Sequence, residues 1–425
     1  MVDGTPQSDR PRLAVRLTED AERHVRAGHP WIFDRSILSI TGDGEPGDLA
    51  IIFDAKRKFV AVGLYDPDSP IRIKVLRRGT PTPIDASFWR GRFAAAVERR
   101  SELATSAATT GYRLLHGEND GLPGLIIDRY ADVAVVKLYS AAWVPHLDEI
   151  LGALEAVLEP TIGAPATVVL RLARNLDEPL ADLGFHDGQI LQGELADPVV
   201  IFRENGLRFE ADVIAGQKTG FFLDQRDNRA RVRDRSSGRR VLDVFSASGG
   251  FSVSAAAGGA TSVHSVDISS GALAAAQRNM ALNADRPTVA AARHETILGD
   301  AMDIMSELVD DGRRYDMVIV DPPSFASRQS QRDGALRMYR RLLAEAVRLV
   351  DDRGMLVAAS CSSRITTDEF FDVLLDAVDD AERSLFKPES YGHAVDHPVS
   401  FGEGAYLNAT FAKVRSAPTS RTIES

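Results

Sequence analysis

Cys361 and Asp321 are the residues of this chain whose type and setting could make and break bonds. Cys361 is the single cysteine and stands where the apolar run Leu356-Val357-Ala358-Ala359 gives way to Ser360-Cys361-Ser362-Ser363. A lone thiol forms no internal disulfide and no structural zinc site, so it is either a small packing residue or a nucleophile. Upstream, Asp321-Pro322-Pro323-Ser324 ends the run Met317-Val318-Ile319-Val320. Prolines after a strand remove backbone donors and leave carbonyls directed into a crevice, with the Asp321 carboxyl group beside them. Such a corner can hold the Watson–Crick edge of a base, with Pro322 and Pro323 on the substrate side; a rigid turn is the structural alternative. Carbon chemistry needs more. C5 of cytosine is a poor nucleophile until a group adds at C6 to give an enamine, and a thiolate can add there and leave again. In that scheme Cys361 attacks C6, Asp321 supports charge at N3, C5 takes a methyl group, and a base removes the C5 proton. His397, in Asp396-His397-Pro398, is open as that base or as a structural histidine.

The methyl donor has its own signature. Val241-Leu242-Asp243-Val244-Phe245-Ser246-Ala247-Ser248-Gly249-Gly250-Phe251 reads as a buried strand entering a glycine-bearing turn and a helix, so that a ligand can approach the backbone at Phe245, Ser246 and Gly249. A second strand ends in Asp267, placed to accept both hydroxyls of a ribose, and a third is followed by Asp300, placed to accept from an adenine amino group. Asp243 lies inside the first strand, where it suits a cationic amino-acid tail better than a pyrophosphate, and no G-x-G-x-x-G is present. Helix capping or turn formation is the structural alternative for Asp243 and Asp300. The three acids at successive strand ends indicate S-adenosylmethionine, with Asp321 bordering the same pocket. No metal site is expected.

These residues need a parallel sheet to align them. From Arg239 onward apolar runs alternate with helical segments, giving strands at 241–245, 263–267, 294–298, 316–320, 355–360 and about 405–413, with helices near 250–258, 270–283, 301–309, 333–350 and 366–380. The last strand follows no full helix and is expected to pair antiparallel, as an edge or hairpin strand. Upstream, residues 12–80 read as short strands (13–17, 49–53, 59–64, 71–76) of a small β-barrel. Thr80-Pro81-Thr82-Pro83 breaks that pattern, and a helix over 86–103 follows. A compact α+β segment comes next, with strands at 124–128, 133–139 and 166–172 around a helix at 143–158, and then a hairpin turning at Glu204-Asn205-Gly206. The expected division is residues 1–80, 81–198 and 199–414, with a disordered Ser/Thr/Pro-rich tail at 415–425.

At 425 residues the chain exceeds one ordinary core. No apolar run approaches a membrane span and the N-terminus lacks a signal-peptide core, so a cytoplasmic location without membrane contact is expected. The net charge of −11 opposes a polyanion partner in sum, but residues 1–100 carry 17 Lys/Arg against 14 Asp/Glu. The basic residues cluster at Arg10, Arg12, Arg16, Arg23 and Arg26; at Lys56-Arg57-Lys58; at Arg72, Lys74, Arg77 and Arg78; and at Arg90, Arg92, Arg99 and Arg100. Four such clusters suit an RNA-facing module, with Arg72 and Lys74 as substrate contacts, although solvated surface explains any one of them.

The stretches Gly28-His29-Pro30-Trp31-Ile32-Phe33, Gly117-Glu118 through Leu122-Pro123-Gly124-Leu125, Gly216 through Arg226 (GQKTGFFLDQR), Asp321-Pro322-Pro323, Ser360-Cys361-Ser362 and Asp396-His397-Pro398-Val399 together resemble the bacterial large-subunit ribosomal RNA cytosine-5 methyltransferase I family, in order from about residue 12 to 414. The resemblance implies an α/β protein: an N-terminal PUA-type RNA-binding domain, a central α+β connector and a C-terminal Rossmann-like class I methyltransferase domain. It also implies that Gln225 and Arg226 border the cofactor pocket and that the partner is large-subunit ribosomal RNA; a homodimer stays open. Another group of RNA cytosine-5 enzymes carries a second cysteine in the fourth-strand motif, where this chain has Ser324, so product release must use another base or water. A related guanine-N7 family lacks the cysteine after the fifth strand. The residues leave two alternatives: a base-nitrogen methyltransferase with a packed Cys361, and a non-catalytic RNA-binding ribosome-assembly factor.

Overall fold

The computed structural model describes residues 11–326 and 328–416, so Arg10 and residues 417–425 of the expected tail lie outside the described residues. The chain forms two compact units. One comprises the chain to Gly206, Glu210–Leu223 and Val395–Gly404; the other comprises Leu207–Phe209, Asp224–Ala394 and the chain from Ala405.

The first unit contains a six-stranded and a five-stranded sheet. In the six-stranded sheet the order is Trp31–Phe33, Ile71–Arg78, Phe59–Tyr65, Leu49–Phe53, Arg12–Leu17, Ile37–Ile40. Arg12–Leu17 runs parallel to Leu49–Phe53, and the other pairings are antiparallel. Two of these strands and the helix Glu19–Arg26 are absent from the sequence reading. The reason is physical: Trp31–Phe33 is three residues long behind Pro30, and the helix buries only Val25. The five-stranded sheet is ordered Ile190–Gln192, Thr167–Leu172, Val133–Leu138, Leu125–Tyr130, Gly111–His116, and the helices Ala86–Arg99 and Leu147–Ile162 pack together beside it. Leu49, Val62, Leu64 and Leu76 of the first sheet share one apolar core with Trp89, Phe93, Trp143 and Leu170. That shared core joins both sheets in one unit, where the sequence reading divides the chain at residue 81.

Residues 395–404, expected within the C-terminal domain, also belong to this unit. Arg113 N donates to Asp396 Oδ2 at 3.0 Å and Arg100 Nη2 donates to Asp396 O at 2.8 Å, all three residues being buried. The expected Asn205-Gly206 turn is present, with φ of 49° and 79° at its central residues, the left-handed values that a two-residue hairpin turn needs.

The second unit is built on a seven-stranded sheet: β1 (Arg240–Val244), β2 (Ser262–Asp267), β3 (Arg293–Leu298), β4 (Tyr315–Val320), β5 (Val350–Cys361), β6 (Arg383–Tyr391) and β7 (Leu407–Ser416). The order is β3-β2-β1-β4-β5-β7-β6. The first five strands are parallel and their inward residues, among them Leu242, Val266, Val318 and Leu356, are at most 1% exposed. β7 is antiparallel as expected and is the hairpin partner of β6; the edge alternative fails because it lies between β5 and β6. The edge is β6, which the sequence reading does not contain. Its Lys387-Pro388-Glu389 stretch carries a bulge with Lys387 at φ 51°, features an edge strand tolerates and a central one does not. β7 also takes in Arg415 and Ser416, two residues of the expected tail.

Strand order reverses direction between β1 and β4, which makes the carboxyl ends of these two strands the natural crevice for a ligand. The helix Gly250–Ala257 starts there from Gly249, at φ 76°. A Cβ at Gly249 would lie 2.7 Å from Ala276 Cβ on the helix Ser270–Leu282, so both the conformation and the close approach require glycine. Gly249→Ala is expected to lower stability by on the order of 1–3 kcal/mol, read as an earlier thermal melt; an unchanged melt would show that the two helices can separate without cost.

Candidate active site at the carboxyl edge of the seven-stranded sheet

The turn after β1 is wound tightly. Phe245, Ala247 and Gly249 all have positive φ (63°, 46° and 76°), and for the first two this is strained backbone. Neighbours hold it in place: Ser246 N donates to Val266 O at 3.0 Å, Ala247 N to Asp267 Oδ2 at 2.9 Å, and Asn279 Nδ2 to Ser248 O at 2.8 Å. Two buried polar atoms beside it, Asp243 Oδ1 and Ser246 Oγ, have no hydrogen-bond partner among the described residues. Burying such atoms is costly unless a ligand group meets them. The other oxygen of Asp243 accepts from Ser252 Oγ at 2.6 Å, and Ser252 continues through Ser265 to His294 Nε2. Burial pushes the Asp243 carboxyl up to about 7, against the Ser252 hydrogen bond and reinforced by the nearby Asp321 and Asp267. An ammonium group at Oδ1 would favour the ionised form.

The end of β2 offers further groups to a ligand. Asp267 accepts from Ala247 N through Oδ2 and from Ser269 N at 2.9 Å through Oδ1, which fixes both oxygens at the mouth of the turn. Asp300 caps the helix Ala301–Asp310, with Oδ1 accepting from Met302 N at 2.8 Å. The capping role is therefore present, and it engages Oδ1 alone. Ile268 and Leu298 are 73% and 58% exposed at the ends of neighbouring strands β2 and β3. Two apolar side chains left in water beside these acids suit the faces of a flat heterocycle. Neither is marked by the strand-end pattern, although Ile268 directly follows Asp267 and Leu298 lies two residues before Asp300.

β4 and β5 pair in parallel, Val320 opposite Ala358, and this register brings Cys361 to the Asp-Pro-Pro corner. Cys361 Sγ lies 3.2 Å from Pro322 O, where the thiol donates to one of the carbonyls expected to point into the crevice. Asp321 is half-buried, Pro322 buried and Pro323 exposed. The corner is braced from behind. Ser362 Oγ and Ser324 Oγ both donate to Ala326 O at 3.2 Å, and Ser360 Oγ donates to Tyr339 OH at 3.0 Å within the ring cluster Phe325, Tyr339 and Phe370. Burial pushes the Tyr339 phenol well above its ordinary value, so it stays protonated.

Gln225 and Arg226 open the helix Arg226–Asp234, which packs on Gly250–Ala257. Both are buried; Gln225 Oε1 accepts from Asn228 Nδ2 at 2.7 Å and Arg226 Nε donates to Asp227 at 3.1 Å. The preceding Asp224 accepts from Tyr406 OH at 3.1 Å, and Tyr406 adjoins Leu407, the residue opposite Cys361. This segment is thereby tied to the same edge of the sheet. His393 Nε2 accepts from Leu407 N at 3.1 Å, so His393 is the histidine at this edge. His397 belongs to the first unit and is 1% exposed, its Nδ1 3.1 Å from Asp396 and its ring 5.0 Å from that of His116, the packing of a structural histidine.

The two expected RNA-binding residues also differ in setting. Arg72 is half-buried on the six-stranded sheet. Lys74 is 4% exposed, its Nζ donating to Asp66 at 2.8 Å and to Ile71 O at 2.8 Å. Burial lowers its pKa while Asp66 opposes that, and its ammonium is not presented to a polyanion.

Comparison with known proteins accords with this geometry. Residues 112–396 match the family model for S-adenosylmethionine-dependent methyltransferases, and residues 15–78 match that for a PUA-like domain. A ribosomal RNA large subunit methyltransferase of Deinococcus radiodurans is 48% identical over 413 residues, covering 96% of this chain and 99% of its own. Ribosomal RNA large subunit methyltransferase I of Pseudoalteromonas translucida is 35% identical over 404 residues, covering 94% and 99%. A solved methyltransferase-type protein complexed with SAH has the same fold, with a TM-score of 0.78 at 22% identity over 95% of this chain and 99% of that one. The orphaned polar atoms at Asp243 and Ser246 and the glycine-bearing turn fit S-adenosylmethionine as the ligand of this crevice. The chain belongs to the S-adenosylmethionine-dependent methyltransferases, in the family represented by the ribosomal RNA large subunit methyltransferases I.

Proposed function

We propose that this protein transfers a methyl group from S-adenosylmethionine to C5 of a cytosine in 23S ribosomal RNA, with Cys361 as the nucleophile that activates the base. The observation that carries the reading is the placement of the only thiol 3.2 Å from Pro322 O, beside Asp321. The names of the relatives supply the substrate class.

Bound in the crevice, the cofactor supplies an electrophilic methyl group on a sulfonium. Asp243 holds the cationic end of its amino-acid tail, Asp267 the ribose hydroxyls, and Ile268 and Leu298 the faces of its adenine. The cytosine sits against Asp-Pro-Pro. Loss of the thiol proton to water frees Cys361 Sγ from Pro322 O, and that carbonyl then becomes available to the exocyclic amine of the base. Sulfur bonds to C6, the C5–C6 π electrons become nucleophilic at C5, and Asp321 supplies a proton to N3. C5 then bonds to the methyl carbon as the S–CH3 bond breaks, and the electron pair of that bond would stay on sulfur, which leaves as a neutral thioether. Removal of the C5 proton re-forms the C5–C6 double bond and expels the thiolate, and the N3 proton returns to Asp321. His393, which accepts from Leu407 N at this edge, is the candidate for the base that takes the C5 proton.

Incubation with methyl-labelled S-adenosylmethionine and unmodified large-subunit RNA, followed by digestion to nucleosides, is expected to give label in 5-methylcytidine. Label in a nitrogen-methylated base would make Cys361 a packing residue. Cys361→Ala is expected to reduce turnover at least about 10³-fold while the dissociation constant for the cofactor changes little, measured by single-turnover kinetics and calorimetry; retained turnover would contradict the covalent route.

Asp243 gives a pH-dependent expectation. Its folded pKa, about 7, lies above the unfolded value, so folding favours the protonated form and the cost of the carboxyl group grows as pH rises from about 4 to 7. Asp243→Asn lacks that cost. Relative to the parent, the ligand-free variant should gain on the order of 2–3 kcal/mol between pH 5 and pH 8 and bind the cofactor more weakly at both. A stability difference that does not vary with pH would remove the buried, proton-accepting role.

A further inference from the structure

Methyl transfer leaves a polar hollow of the first unit without a role. It measures about 250 Å³ and is lined by Gly28, Pro30, Arg77, Arg78, Arg92 and Glu118, among others. Arg77 and Arg78 close the strand Ile71–Arg78, while Arg92 comes from the helix Ala86–Arg99. Arg78 Nη1 donates to Gly28 O at 2.6 Å, and Arg92 Nη2 donates to Leu76 O with its guanidinium 5.0 Å from the Phe88 ring. These interactions fix the two guanidinium groups without neutralising them. None of the three arginines is ion-paired among the described residues. The neighbouring carboxylate of Asp120 is engaged by Arg99 and Arg100. Glu118 accepts from Trp31 Nε1 at 2.9 Å, and burial pushes its carboxyl up, so it offsets the arginines less than an exposed glutamate would. Burial and then repulsion from Arg77 and Arg78 hold the Arg92 pKa down, a crowding of positive charge that an anion would relieve.

The segment that supplies Gly28 and Pro30 continues into an aromatic run, in which His29 and Trp31 pack edge-on against Phe401. The rings of His29 and Trp31 are 5.6 Å apart, those of Trp31 and Phe33 6.5 Å, and Phe33 is 43% exposed. Guanidinium groups take phosphodiester oxygens, and exposed rings stack on unpaired bases; the two together suit single-stranded RNA. We propose that this hollow is a phosphate subsite for single-stranded RNA, with Arg77, Arg78 and Arg92 holding the backbone and the exposed Phe33 stacking an adjacent base. The proposal rests on RNA being the substrate and deepens that reading. It also moves RNA binding from Arg72 and Lys74 to the exposed end of the same strand.

The test is fluorescence anisotropy of a short labelled single-stranded RNA on the full chain, across a salt series and without cofactor, so that an error about the chemistry at Cys361 leaves the readout intact. Arg77→Glu is the primary variant because Arg77 has no side-chain bond to lose among the described residues. It is expected to weaken binding at least about tenfold at low salt and to flatten the salt slope by about 0.7 for each phosphate that the variant no longer neutralises. Arg77→Lys should bind nearly as the parent does, and Phe33→Ala should weaken single-stranded RNA more than duplex RNA. Should Arg77→Glu melt early, Arg77→Gln replaces it. Parent-like affinity in a folded Arg77 variant, or an equal loss towards duplex RNA and heparin, would overturn the subsite.

Discussion

Parallel pairing of β4 with β5 is the constraint on which the candidate active site depends. With Val320 opposite Ala358, the ladder between the two strands ends there, and the chain beyond it on each side must share the same corner. On one side that chain is Asp321-Pro322-Pro323, which cannot extend the ladder because proline has no N–H to donate. On the other it is Cys361, whose thiol reaches the carbonyl left open. A slip of one residue in β5 would turn Cys361 to the opposite face and dissolve the pairing. The bracing by Tyr339, Ser360, Ser362 and Ala326 resists that slip, and β7 pins the same residues from the other side through Cys361 opposite Leu407.

The cofactor half obeys the opposite logic. There the protein keeps groups in positions that are unfavourable until a ligand meets them. Asp243 is fully buried with one oxygen unsatisfied, Ser246 Oγ is buried without a partner among the described residues, and Phe245 and Ala247 hold left-handed backbone. Each costs stability on its own, and together they mark where a ligand supplies what folding does not. The tight seat of Gly249 against Ala276 and the hydrogen bonds from Asp267 and Asn279 keep the turn from relaxing.

Much of this edge is legible in the sequence because apolar runs that end in an acid, a glycine turn or Asp-Pro-Pro record both the strand and what it presents. Asp243, Asp267, Asp321 and Cys361 can be placed in that way. Other features depend on long-range packing that spacing does not encode. β6 is hidden because Pro388 and its charged neighbours read as a loop, although an edge strand accepts them. Lys74 looks like surface charge because its partner Asp66 is on another strand end. Asp300 fits both cap and ligand, and the cap is present. The return of Asp396 to the first unit is fixed by Arg100, 296 residues away, and no local pattern announces it. His393 and the exposed pair Ile268 and Leu298 escape a sequence reading because a histidine in a loop and single apolar residues after strands are common.

The central claim is that Cys361 bonds to the base. An RNA carrying 5-fluorocytidine at the target cytosine tests it directly, because fluorine at C5 leaves no proton for the base to remove once the methyl group is in place, and the thiolate cannot then be expelled. Mass spectrometry after proteolysis is expected to find the fluorinated, methylated nucleotide attached to the peptide containing Cys361, only when S-adenosylmethionine is present. Methylated RNA released without any protein adduct would contradict the covalent mechanism.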